Sequence, residues 1–131
     1  MSYYESLPIY RVALDVCVRI DTMVIHFGRA HKYTLGTRLR DTSTDILLLV
    51  ARANRKEERA AALVTLCHRV EELKLLLNLG KEVRAFGSFE QFAQIMEQVV
   101  GLARQAEGWR AKNPRIDVPE PVTGKPREGS S

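Results

Sequence analysis

The chain has 131 residues, 45% hydrophobic and 27% charged, the make-up of one folded domain and not of a disordered chain. Twenty Lys and Arg residues stand against sixteen Asp and Glu, a net charge of +4 that admits a nucleic-acid partner without requiring one. No apolar run approaches the roughly 20 residues of a membrane span. Met1 to Glu5 also lacks the basic and apolar segments of a signal peptide, so the expectation is a cytoplasmic protein with no membrane partner.

The first predicted helix opens at Ser6-Leu7-Pro8. Ser6 can accept bonds from free amides, and proline fits a first turn because its missing N–H is not needed there. Tyr10, Ala13, Cys17, Ile20, Val24 and Phe27 then recur in steps of three and four, tracing its inner side as far as Gly28. A basic loop, Arg29 to Tyr33, leads to Thr34, the predicted cap of the second helix. That helix turns Leu35, Leu39, Thr42, Ile46, Leu49 and Ala53 inward and ends at Asn54, a residue suited to the left-handed position after a helix.

Arg55 and Lys56 form a short joint. Glu57 and Glu58 then favour the start of a third helix through its macrodipole. Its inner stripe is Leu63, Leu66, Val70, Leu73 and Leu77, and the predicted end is near Ala85, with Gly87 as the stop. Ser88 and Gln91 make a Ser-x-x-Gln capping pattern for the fourth helix, whose stripe is Phe89, Phe92, Met96, Val99, Ala103 and Ala106. The expected fold class is therefore all-α, an up-down-up-down four-helix bundle over residues 1–112. Residues 113–131 carry four prolines and few apolar anchors, and are expected to be a flexible tail dispensable for folding.

Chemistry-bearing patterns are absent. A di-iron bundle needs Glu-x-x-His pairs, yet Thr65 stands three residues before His68 and Met23 three before His26. No glycine-rich loop ends in Lys-Ser or Lys-Thr. Cys17 and Cys67 lie apart among apolar residues and read as buried thiols. The expectation is a protein that is not an enzyme, with no catalytic residues, no metal and no cofactor.

Two surface features remain. Val12, Val18, Ile25, Leu47, Leu48, Leu75, Leu76 and Leu79 are large apolar residues outside the inner stripes. Such a surplus points to self-association, with Leu47, Leu48, Leu75 and Leu76 as the predicted interface. The predicted phosphate-binding set is Lys32, Arg38, Arg52, Arg55, Lys56 and Arg59. No aromatic array is read beside these cations, so base stacking is expected to add little. Reversing Arg55, Lys56 and Arg59 to Glu is expected to abolish binding and leave the helices intact.

The segment Tyr33-Thr34-Leu35-Gly36-Thr37-Arg38-Leu39 resembles the aromatic-Thr-Leu-Gly-x-x-Leu motif that opens helix two in accessory variability determinant (Avd) proteins of diversity-generating retroelements. That four-helix-bundle family is related to proteins encoded by intervening sequences in bacterial rRNA genes. His31-Lys32 stands where the family usually has Pro-Lys. Arg104, Gly108 and Trp109 match the family's helix-four ending Ile-Gly-Arg-x-x-Gly-Gly-Trp, while Ala103 and Glu107 replace two of its glycines. The resemblance covers about residues 7 to 112. It implies a homopentameric ring that binds template RNA or cDNA and a reverse transcriptase, and that supports mutagenic reverse transcription. The alternatives are a protein-only adaptor and an rRNA intervening-sequence-type bundle protein.

Overall fold

The structure, a computed structural model, describes residues 7–114. Four long helices dominate them: α1 (Pro8–Ile25), α3 (Leu35–Ala53), α4 (Arg59–Glu82) and α5 (Phe89–Lys112). A single-turn helix α2 (Arg29–Lys32) joins the first two, and a 3₁₀ turn (Lys56–Glu58) precedes α4. Cross-helix pairs set the directions. Cys17 meets Ser43 and Asp21 meets Arg40, so α1 and α3 run oppositely. Asp45 faces Arg69 while Leu35 lies against Gly80, which makes α3 and α4 antiparallel. Lys81 lies over Phe92 near the start of α5, and Pro8 shares a recess with Trp109 near its end, closing the bundle back onto α1.

The core is continuous along all four helices. Ile20, Leu39, Ile46, Leu63, Leu66, Leu73, Leu77, Ile95 and Leu102 are fully buried. Each such side chain contributes about 1.5–3 kcal/mol on leaving water. The inner stripe of α4 is the predicted one. On α1, Ile9, Val16 and Met23 reach deeper than the predicted Tyr10 and Cys17, which are half-buried. On α3 the half-buried Thr42 gives way to Ser43 and Val50. On α5, Ile95 and Leu102 take the places expected for Met96 and Ala103, and Phe89 is exposed. Adjacent positions on a helix differ by 100°, so a stripe traced by steps of three and four fits two neighbouring lines equally well.

The ends of the helices differ from expectation in instructive ways. Leu7 is the residue before α1 and Pro8 its first helical residue; Ser6 lies outside the described residues. α1 stops at Ile25, and Gly28 instead opens α2 with φ −63°. Thr34 precedes α3 but does not cap it: its hydroxyl donates back to the carbonyls of Ala30 and His31. Asn54 is right-handed, φ −70°. α3 is closed by the Arg59 guanidinium, whose Nε donates to the Ala53 carbonyl at 2.8 Å and Nη2 to that of Asn54 at 3.1 Å. The predicted Ser88 cap is present, with its Oγ accepting from the Gln91 amide at 3.1 Å, and Gln91 Oε1 accepts from the Gly87 amide. Asn113, assigned to the tail, donates through its side chain to the Trp109 carbonyl and so belongs to the end of α5. Residues 115–131 lie outside the described residues.

α4 ends at Glu82, short of the predicted Ala85. The Ala85 amide bonds the Gly80 carbonyl at 2.9 Å and the Arg84 amide bonds that of Lys81 at 3.1 Å. This is the paired closure in which the residue after the cap turns left-handed, and Arg84 does so with φ 60°. A residue with a Cβ is strained there by about 1 kcal/mol. Arg84→Gly is therefore expected to stabilise the bundle by about that amount in chemical denaturation.

Candidate nucleic-acid interface

The bundle has two ends, and the predicted cations divide between them. One end carries the His26–Thr34 and Val83–Ser88 connections; the other carries the Asn54–Glu58 joint together with the start of α1 and the end of α5. Lys32 and Arg38 belong to the first end, and Arg52, Arg55, Lys56 and Arg59 to the second. The fourteen residues from Arg38 to Arg52 along α3 correspond to about 21 Å of helix rise. The six residues are therefore two groups and not one cluster.

At the Asn54–Glu58 end most of the charge is committed. Glu58 pairs with both Arg52 (3.6 Å) and Arg55 (3.2 Å). Arg59 is bound to the α3 carbonyls, so it holds the joint together. Its reversal would disturb the fold, contrary to the sequence expectation. Arg110 bonds Glu107 at 2.8 Å, and that bond holds the Glu107 carboxyl below its ordinary range. Lys56 is exposed and has no carboxylate partner among the described residues.

The other end is freer. Arg29, Lys32, Arg38 and Arg84 have no carboxylate partner among the described residues, and Arg29, Arg38 and Arg84 are exposed. Lys32 Nζ lies 6.0 Å from the ring centre of Tyr33. Lys81 adds a cation that reaches Glu82 at 3.7 Å. His31 and Val83 line the same recess, so the two connections lie side by side. Arg29 and Arg84, absent from the predicted set, sit on these two connections. They are far apart in sequence, and only the antiparallel topology brings them to one end.

The same end holds an aromatic chain that sequence reading missed. All four phenylalanines gather there. Phe27 meets Phe86 edge to face at 5.6 Å, Phe86 meets Phe92 at 5.9 Å, and Phe92 meets Phe89 at 5.7 Å. The first three plug the end of the core, and Phe89 stands 69% exposed at the outer end. The signal in the sequence was the three-residue spacing of Phe86, Phe89 and Phe92 across the turn into α5.

The predicted self-association residues also divide. Leu48 (61% exposed) and Leu75 (70%) face outward, whereas Leu47 and Leu76 are half-buried against the core. Leu79 and Val83 extend the apolar surface of α4 toward the cationic end. Arg38 lines a recess of about 310 Å³ with Leu76 and Leu79, and Leu48 lines one of about 280 Å³ with Arg52 and Arg69. The groove between α3 and α4 thus combines exposed leucines with charge. Gly108, of the helix-four motif, has nothing within 4 Å of an added Cβ, so packing within one copy does not require glycine there.

Burial raises both thiols, Cys67 to about 11. They stay protonated near neutral pH and are poor nucleophiles. The Cys17 thiol donates to the Ser43 carbonyl. Among the described residues no three His, Cys, Asp or Glu side chains are grouped to hold a metal ion, and no helix is long and apolar enough to cross a membrane. No protein-family model and no curated protein sequence matches the chain.

Proposed function

We propose that this protein is a non-enzymatic accessory protein of a diversity-generating retroelement, of the accessory variability determinant kind. It binds template RNA or cDNA through phosphate contacts and presents it to a partner reverse transcriptase. The observation that carries the reading is the set of cations, without carboxylate partners among the described residues, on the two connections at one end of an all-helical bundle. Phosphate binding needs cations free of carboxylates on a common surface and no base-specific geometry. The Tyr33–Leu39 and Arg104–Trp109 motifs supply the link to a retroelement. A reverse transcriptase gene with paired template and variable repeats beside this one is the expected genomic setting.

The bundle works as a homo-oligomer, with a pentamer as the expected form. Exposed Leu48 and Leu75 support this, because closed symmetric assembly buries an apolar face and repeats each cation group around an axis. Leu48→Glu is expected to shift the mass measured by light scattering behind a sizing column toward the monomer while the helical signal persists. A carboxylate there has Arg52 and Arg69 of its own copy beside it, so the fold tolerates it, but it puts a charge in place of the apolar side chain that assembly would bury. A wild-type monomer at micromolar concentration would remove the ring from the reading. The same leucines favour a second reading, a protein-only adaptor that docks another protein and binds no RNA.

A further inference from the structure

We infer that the recess at the α4–α5 turn is a stacking site for one unpaired nucleobase, so that the protein prefers single-stranded over duplex nucleic acid. The inference rests on the nucleic-acid reading above and adds a base-contacting element to it. The recess has a volume of about 290 Å³ and is lined by Lys81, Arg84, Phe86, Ser88, Phe89 and Phe92. That lies just under the roughly 300 Å³ at which drug-sized pockets begin, a size suited to a single planar ring system.

The lining has the two parts that single-strand recognition uses: aromatic faces for bases and cations for the flanking phosphates. Phe89 supplies the face. The residue is 69% exposed, and its ring lies 5.7 Å from that of Phe92, tilted 47° to it. A lone exposed phenylalanine would need no explanation. This one ends a chain of rings whose inner members already close the core, so burial does not account for it. Lys81 and Arg84 supply the charge. Lys81 Nζ sits 5.1 Å from the Phe92 ring centre, which holds the ammonium beside the aromatic floor. Arg84 is placed at the rim by a strained left-handed backbone, φ 60°. Among the described residues no carboxylate lines the recess; the acidic residues beside it are Glu82, exposed and 3.7 Å from Lys81, and the exposed Glu90, which follows Phe89 in the first turn of α5. An acidic or purely apolar peptide would use only half of this lining, whereas a nucleotide uses both.

A duplex keeps its bases stacked and offers Phe89 nothing, so the site distinguishes strand state where phosphate contacts alone do not. The test compares fluorescence anisotropy of a labelled oligouridylate and a labelled RNA duplex on the full chain, its Phe89→Ala variant and its Phe89→Trp variant. Light scattering is recorded on each. Phe89→Ala is expected to weaken oligouridylate binding roughly tenfold and to leave duplex binding and oligomer mass unchanged. Phe89→Trp, with a larger stacking face, is expected to retain or strengthen single-strand binding. Unchanged oligouridylate affinity in Phe89→Ala would overturn the stacking site and leave the phosphate reading standing. Equal loss on both probes, or a drop in oligomer mass, would also overturn it, since Phe89 would then serve assembly. Failure of the wild-type protein to bind either probe would overturn the nucleic-acid reading itself, and the site with it.

Discussion

Gly36→Leu is expected to destabilise the bundle by about 3 kcal/mol or more, lowering the thermal midpoint by roughly 10–15 °C for a domain of this size. Gly36 lies in the first turn of α3, where that helix meets α1. A Cβ built on it would come within 2.6 Å of Val24 Cγ1 and 3.3 Å of the His31 carbonyl oxygen. Val24 is fully buried and β-branched, with one strongly preferred rotamer in a helix, so moving it aside is costly. The motif glycine is thus the point where α1, α2 and α3 come together, and a larger side chain there would prise the joint open. Gly101→Ala is the matched control. It lies mid-helix with nothing within 4 Å of an added Cβ, and is expected to stabilise by up to about 1 kcal/mol through helix propensity alone. A Gly36→Leu midpoint close to wild type would show an α1–α3 joint loose enough to admit the side chain.

Combined reversal of Arg29, Lys32 and Arg84 to Glu is expected to weaken RNA binding on the order of a hundredfold at moderate salt, from three unit charges turned from attractive to repulsive. It should also reduce the slope of log affinity against log salt by roughly one for each phosphate no longer neutralised. None of the three has a carboxylate partner among the described residues, and none belongs to the core, so the helical signal should persist. The comparison is Arg52, Arg55 and Lys56 reversed together at the opposite end. There Glu58 already neutralises much of the field, so the expected loss is smaller. Arg59 is left intact because it closes α3. If the second triple proved the more damaging, the interface would lie at the Asn54–Glu58 joint instead.

The helices were legible because each keeps a long apolar period, and α4 shows this best, with all five predicted inward residues buried. Helix ends were less legible because they depend on distant groups. Arg59 closes α3 from the far side of the joint, a role that no local pattern announces. Arg84 occupies a position where glycine is the usual signal, so the sequence pattern points past it to Gly87 as the stop. The basic residues could be found in the sequence, but their pairing could not. Glu58 cancels two of the predicted cations, and Arg84 joins the others only through the bundle's topology. The aromatic end is not visible in the sequence because Phe27 and Phe86 are 59 positions apart in the chain and meet only after folding.

The proposed function stands or falls on nucleic-acid binding through phosphate contacts. The most direct test is fluorescence anisotropy of a structured RNA titrated with the wild-type protein across a salt series, alongside duplex DNA. Both are expected to bind, with log affinity falling linearly against log salt and little dependence on sequence. Absence of binding to either at low salt, from protein that is folded and assembled, would contradict it and leave the protein-only adaptor.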